Sequence, residues 1–191
     1  MELYLPILYG SVREGRKSFA VAEFIESRLQ IRPGVTTKLF DPRNLPFGNL
    51  VRREWEMDPA SPEVQAFVQE MARADGFVVV TPEYNFGIPG ALKNMFDHLF
   101  DEWNHKPFGL VTAGGIAGGA RAGDQLRIGI PGLRDFTIPM SLPVPSVERT
   151  FGPSGSIADR PDWEKRVDAF LAQLEWYARA LSEARRTSPP V

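Results

Sequence analysis

The stretch Thr81-Pro82-Glu83-Tyr84-Asn85-Phe86-Gly87-Ile88-Pro89-Gly90 decides how this chain is read. It follows the apolar run Gly76-Phe77-Val78-Val79-Val80. It precedes Leu92, Met95, Phe96, Leu99 and Phe100, which are apolar at helical spacing. A short β-branched run without polar alternation predicts a strand buried on both faces of a parallel sheet. The ten residues then form the loop at the carboxyl end of a central strand, where open α/β sheets hold their ligands. Its prolines and glycines stiffen and shape the loop. Glu83, Tyr84, Asn85 and Phe86 set an acid, a phenol, an amide and a second ring on it. A loop that only joins a strand to a helix needs none of this chemistry.

Outward from that loop, strands and helices alternate. Leu3 to Tyr9 predicts a first strand, ended at Gly10. Val21, Phe24, Ile25 and Leu29 mark one face of a helix, which Ile31-Arg32-Pro33-Gly34 stops. Val35 to Phe40 is a second strand. Asp41 to Ala60 has no period and contains Pro42, Pro46 and Pro59, and twenty irregular residues suggest function or mobility. Leu45, Phe47, Leu50, Val51 and Trp55 are expected to anchor parts of it. Ser61-Pro62-Glu63 is a helix start, and Val64, Phe67, Val68, Met71 and Ala72 continue that helix. After the central strand comes a helix over 91–101, then the turn Glu102 to Pro107. Phe108 to Thr112 is a fourth strand. Residues 120–130 form a helix with Ala122, Leu126 and Ile130 inward. A fifth strand at Phe136 to Ile138, or a few residues later, carries prolines suited to a sheet edge. Phe151 to Ile157 is turn-rich. Trp163, Val167, Phe170, Leu171, Leu174, Ala178 and Leu181 stripe a last helix. The expectation is one doubly wound domain over 1–184, with five parallel strands and a frayed tail from Arg185 to Val191.

Composition narrows the function. The 191 residues are 43% hydrophobic and 24% charged, with a net charge of −2, which favours neither nucleic acid nor an acidic membrane. There is no cysteine, so disulfides, thiolate catalysis and zinc–cysteine sites are excluded, and a cytoplasmic location fits. Met1 to Leu8 lacks a basic region and a long apolar core, so it does not read as a signal peptide. His98 and His105 have no carboxylate cluster around them, and no metal site is expected. No Gly-x-Ser-x-Gly elbow is present.

The first, third and fourth strands each end in a chemically loaded loop, and a parallel sheet brings all three to one edge. The first is Gly10-Ser11-Val12-Arg13-Glu14-Gly15-Arg16-Lys17-Ser18. Hydroxyls, a guanidinium and a following helix N-terminus suit a phosphate, although a solvated basic turn has the same composition. Arg16 and Lys17 either face solvent or meet the extra phosphate of a pyridine nucleotide. The loop is a near miss to the nucleotide-binding P-loop, because Arg16 displaces the lysine that must follow the second glycine. The loop after the fourth strand, Ala113 to Gly119, has no bulky side chain from Ala113 to Gly115, so a flat ring can lie against bare backbone.

Together these stretches resemble the NADPH-dependent FMN reductase family, which includes quinone, chromate and azo-dye reductases. The likeness lies in Gly10-Ser11-x-Arg13 with Ser18, Pro82-Glu83-Tyr84-Asn85-x-x-Ile88-Pro89-Gly90-x-Leu92-Lys93-Asn94, and Ala113-Gly114-Gly115 with Gly118-Gly119. Arg121-Ala122 and Gln125-Leu126-Arg127 also fit. The resemblance implies a flavodoxin-like three-layer sandwich with non-covalent FMN. Ser11, Arg13 and Ser18 would hold its phosphate. Pro82, Glu83, Tyr84 and Asn85 would border its ring, and Ala113, Gly114 and Gly115 its other edge. Two departures are a longer, more basic first loop and Phe86-Gly87, where small or polar residues are common. Phe86 would either narrow the pocket or serve a subunit contact.

The implied activity passes two electrons from NAD(P)H through FMN to quinones or other small acceptors. The flavin is then the reactive group and no catalytic base is named. Backbone N–H groups near Gly114 and Gly115 would stabilise negative charge developing on the ring. Arg16 and Lys17 favour NADPH over NADH. Family members form dimers or tetramers, which points to Trp103 and its aromatic neighbours as an interface. The rival readings are a flavin-binding redox sensor or electron carrier, and a domain of this fold that has lost flavin, against which Arg13, Tyr84 and Asn85 speak.

Overall fold

The computed structural model describes residues 2–46, 48–53, 56–57, 60–152 and 156–188. Its centre is β5, Phe77–Pro82, with every residue buried. Side chains alternate across it: Val78 and Val80 enter one core layer, Phe77 and Val79 the other. Both layers are apolar, so the run shows no polar alternation.

The expected first strand appears as β1, Leu3–Tyr4, and β2, Ile7–Tyr9. The second appears as β3, Val35–Thr36, and β4, Leu39–Phe40. The split is local. The N–H groups of Leu3, Leu5 and Ile7 donate in step to Gly34, Thr36 and Lys38, each at 2.9 Å, past Pro6, which has no N–H to give. With β6, Pro107–Ala113, and β7, Phe136–Val144, the five-stranded parallel sheet runs β4-β2-β5-β6-β7. This is the flavodoxin-like order, with its reversal between β2 and β5.

Helices α1, Phe19–Gln30, and α6, Arg160–Thr187, cover one face. Helices α2, Pro62–Ala72, α3, Gly90–Asp97, and α4, Ala120–Gly129, cover the other. A single turn, α5, Val147–Thr150, follows β7. Ser61 caps α2 by accepting the Val64 N–H at 3.3 Å, and Ala122, Leu126 and Ile130 point inward, as the sequence predicts.

Several boundaries differ from expectation for visible reasons. Helix α3 stops at Asp97 rather than reaching 101. The Trp103 indole N–H takes the Phe96 carbonyl at 3.1 Å, and the Phe100 N–H turns to the Glu102 carboxylate at 3.3 Å. Trp103 itself is wholly buried among Phe77, Phe96 and Phe108, so it is core and not a subunit contact. Strand β7 is longer than expected and runs through Pro139 and Pro143. Among the described residues it pairs with β6 alone, so a missing N–H is tolerated. Helix α6 continues through Thr187, and Arg185 donates to the His105 carbonyl at 2.5 Å. The expected tail from Arg185 is therefore helical at its start. In the 41–60 segment, Asp41 caps a 3-10 turn at Pro42–Asn44. Phe47 and Trp55, expected to anchor that segment, lie outside the described residues, as does Pro59.

Candidate active site

The loops after β2, β5 and β6 line one cleft of about 650 Å³. Gly10 opens the first. A Cβ there would come within 2.7 Å of Thr81 Oγ1, so glycine lets β2 and β5 end side by side. Among the described residues, the N–H groups of Glu14, Gly15, Lys17 and Ser18 have no hydrogen-bond partner. They lead into the N-terminus of α1, an arrangement that suits an anion. The Arg13 guanidinium lies 5.3 Å from the Tyr84 ring centre, and no described carboxylate pairs with it. Ser18 lines the cleft and is 4% exposed, its Oγ 2.8 Å from the Tyr9 hydroxyl. Burial raises the Tyr9 pKa, so that phenol keeps its proton.

Ser11 is placed differently. It is fully buried and does not line the cleft. Its Oγ sits 2.6 Å from the Tyr84 hydroxyl and accepts the Arg13 N–H at 3.3 Å. Arg16 is turned inward. One of its Nη atoms donates to Asp41 Oδ1 at 2.7 Å and to the Ser11 carbonyl at 2.8 Å, the other to Asp41 Oδ2. Its guanidinium covers the Tyr9 and Phe19 rings. The Asp41 hydrogen bond raises the Arg16 pKa. Burial works to raise the Asp41 pKa in turn, but the bonds from Arg16 and the Arg43 N–H outweigh it and the shift is downward. Lys17 pairs with Glu148 at 2.5 Å. With Arg16 so engaged, the sequence argument for NADPH over NADH rests on Lys17, whose pair with Glu148 is exposed.

The second loop is a tight turn. Tyr84 and Gly87 exchange N–H to carbonyl bonds at 2.9 and 3.0 Å, with Asn85 and Phe86 at φ 48° and 65°. Positive φ at both central positions suits asparagine and strains phenylalanine. The turn is sewn to α4 at three points. Glu83 Oε2 accepts the Arg121 N–H at 2.9 Å, Gln125 Oε1 accepts the Ile88 N–H at 2.8 Å, and the Arg121 guanidinium stacks 4.6 Å from the Phe86 ring. Pro82, Glu83 and Tyr84 line the cleft; Asn85 is exposed and does not.

The third loop supplies Ala113, Gly114 and Gly115 to the cleft. A Cβ on Gly114 would lie 2.8 Å from the Gly119 backbone nitrogen, so only glycine lets the loop fold on itself. The Gly114 N–H already donates to the Val144 carbonyl at 3.3 Å. Among the described residues, the N–H groups of Gly115 and Ile116 remain without a partner, one step further along than the sequence suggests.

With the cleft in place, comparison with known proteins has a definite meaning. Residues 5–148 match the family described as NADPH-dependent FMN reductase. The chain belongs to that family. An NAD(P)H-dependent FMN reductase of Schizosaccharomyces pombe is 54% identical over 55 residues, 29% of this chain and 28% of that protein. A quinone reductase of Escherichia coli is 33% identical over 131 residues, 66% and 68% of the two chains. An NAD(P)H-dependent FMN reductase of a Nectria species is 32% identical over 131 residues, 64% of each chain. The matched stretches thus span 28% and 64% of the two FMN reductases. In fold, FerB, a flavoenzyme NAD(P)H:(acceptor) oxidoreductase of Paracoccus denitrificans, superposes with a TM-score of 0.74 at 19% identity, over 93% of this chain and 98% of that one.

Against this FMN-reductase frame, two contributions to the cleft were missed in the sequence. Arg43 donates to the carbonyls of Val12, at 3.0 and 3.1 Å, and of Arg13, clamping the first loop from outside. Asp41 and Arg43 stand just past the second strand, where an acid before proline signals a cap. The loop after β7 is the other. Ser146, at φ 45°, turns α5 over the cleft, and its N–H donates to the Gly115 carbonyl at 2.8 Å. The prolines that marked this stretch as an edge concealed its part in the site.

Proposed function

We propose that the chain is an FMN-dependent NAD(P)H oxidoreductase that passes two electrons through bound FMN to quinone-like or other small acceptors. The observation that carries this reading is that two kinds of surface line one cleft. The first loop, with its unpaired N–H groups, Arg13 and Ser18, suits a phosphate. Tyr84 and the bare backbone at Gly114 and Gly115 suit a flat ring. These residues fit FMN, its phosphate on the first loop and its ring against the others.

FMN, when bound, supplies the redox chemistry, with NADPH or NADH as reductant. The protein's own residues bind and orient. The first loop neutralises the phosphate through N–H donors and Arg13. The free N–H groups of Gly115 and Ile116 favour negative charge at the ring edge. Glu83 holds the ring loop to α4 and is a structural acid, not a proton donor. Tyr84 walls the acceptor pocket. No side chain is needed as catalytic base. The protein works as a homodimer or homotetramer, whose contacts would cover Ile128, 82% exposed, and Phe86, 71% exposed. Sedimentation of wild type and Ile128→Glu tests this, with dissociation expected in the variant.

The central test is the visible spectrum after saturation with FMN and desalting, then after anaerobic NADPH. Retained flavin that bleaches supports the oxidoreductase. Retained flavin that does not bleach moves the reading to a redox sensor or carrier. A protein that retains no flavin is a member of the fold that has lost it.

A further inference from the structure

Arg43 does not line the cleft, but it holds the loop that does. It stands in the 3-10 turn Pro42–Asn44, where Asp41 Oδ1 accepts its N–H at 3.0 Å. The same oxygen accepts Arg16 at 2.7 Å, so the turn is seated against the first loop. From there the Arg43 guanidinium takes two successive carbonyls. Its Nε and one Nη donate to Val12 at 3.1 and 3.0 Å, and that Nη also donates to Arg13. Arg16 takes the carbonyl before them, that of Ser11, at 2.8 Å. Arg13, Glu14, Gly15 and Ser18 line the cleft, and Val12 does not.

A trans peptide is planar, and its C=O points opposite to the N–H of the next residue. A donor that fixes one carbonyl therefore aims the following N–H away from itself. The first consequence is visible. With the Val12 carbonyl held by Arg43, the Arg13 N–H turns to Ser11 Oγ at 3.3 Å. The second bears on the ligand. With the Arg13 carbonyl held by Arg43, the Glu14 N–H is aimed away from Arg43, and among the described residues it has no partner. Gly15 follows at φ 62°, the left-handed backbone that gathers successive N–H groups into an anion-binding concavity.

We propose that Arg43 is a positioning residue for the phosphate. From outside the cleft it fixes the Val12–Arg13 and Arg13–Glu14 peptides, so that the Glu14 N–H meets a bound phosphate monoester without reorganisation. The turn after the second strand thus belongs to the cofactor site through the backbone it orders, and not through any atom that touches the ligand. The inference rests on reading the first loop as the phosphate site.

The test uses ribitol 5-phosphate, which carries a phosphate and a polyol but no ring, with 15N-labelled, flavin-free protein. In wild type the amide signals of Glu14 and Ser18 should move along one saturation curve. In Arg43→Ala, and independently in Arg43→Met, which keeps a long stem, probe affinity should fall about tenfold. At saturation Ser18, whose N–H Arg43 does not aim, should reach its wild-type shift, and Glu14 should fall short of its own. The loss should be the same at about 0.05 M and about 0.5 M salt, since the higher salt screens an exposed charge. FMN should show that loss and riboflavin none, and unmoved amide signals from Val78 to Val80 report that each variant is folded. A loss that vanishes at high salt would make Arg43 a remote charge. A full Glu14 response in both variants would show that the loop keeps its form unaided. Either result overturns the inference and leaves the phosphate site standing. If the probe moves neither amide in wild type, the phosphate reading fails and the inference with it.

Discussion

Arg16 and Asp41 lock together beneath the first loop, with side chains only 11% and 12% exposed. The pair joins the loop after the first strand to the residue that follows the second, and the guanidinium rests on Tyr9 and Phe19. A cation that looks available in the sequence is thereby spent on architecture.

Replacing Asp41 by asparagine leaves the Arg16 charge covered and poorly matched. Loss of a charge-assisted bond of this kind costs about 2 kcal/mol. The Asp41 pKa is lowered in the fold, so its stabilisation is complete above the ordinary carboxylate range and is lost as pH falls through the folded value. Chemical denaturation should find Asp41→Asn less stable at pH 7. The difference from wild type should shrink below about pH 4.

Arg13 should matter to the phosphate and not to the ring. Removing one charge-assisted contact, worth about 1.5–3 kcal/mol, weakens binding roughly tenfold to a hundredfold. Flavin fluorescence titration of Arg13→Ala should show that loss with FMN and little change with riboflavin. Equal FMN affinity in variant and wild type would remove Arg13 from the site.

Glu83 acts as a cap on α4 from the loop before α3, through the Arg121 N–H. Glu83→Ala should lower stability by about 1 kcal/mol, the usual worth of a cap. Because the lost bond holds the ring loop, acceptor KM should rise while ribitol 5-phosphate binds as before. A variant with lower stability and wild-type KM would confine Glu83 to the fold.

At the opposite pole of the sheet, Asp135 accepts the Lys106 N–H at 2.6 Å, and its second oxygen is buried without a partner among the described residues. Burial raises its pKa to about 8. Between the ordinary carboxylate range and pH 8 the folded state holds a proton that the unfolded state has released. This group therefore makes stability fall as pH rises, by at most about 1.4 kcal/mol per pH unit. The Lys106 ammonium is lowered to about 8, again by burial, and acts with the opposite slope above that value. Thermal melts from pH 5 to 8 should show wild type losing ground to Asp135→Asn; parallel curves would refute the assignment.

Much of this was legible in the residues because it follows from local pattern. Val78 to Val80 had to be a buried strand, and Tyr84 to Gly90 had to leave it on the ligand edge. What escaped depends on contacts between segments far apart in sequence. Arg16 reads as a free cation until Asp41 is beside it, and Ser11 as a phosphate ligand until Tyr84 closes on it. Trp103 reads as a subunit contact until Phe77 and Phe108 surround it. Nothing in the spacing of Ser146 to Arg149 announces that α5 bends back over the cleft.

Among the described residues strand β7 has one neighbour; it carries Pro139 and Pro143, and the Met140 N–H between them is given to the Gln173 side chain at 2.9 Å. An incoming strand would find two residues with no N–H and a third already engaged. The far border is interrupted at Thr37 and Lys38, between β3 and β4. Neither margin offers a template for open-ended strand addition, so the folded protein should withstand crowded, concentrated conditions without growing into fibres.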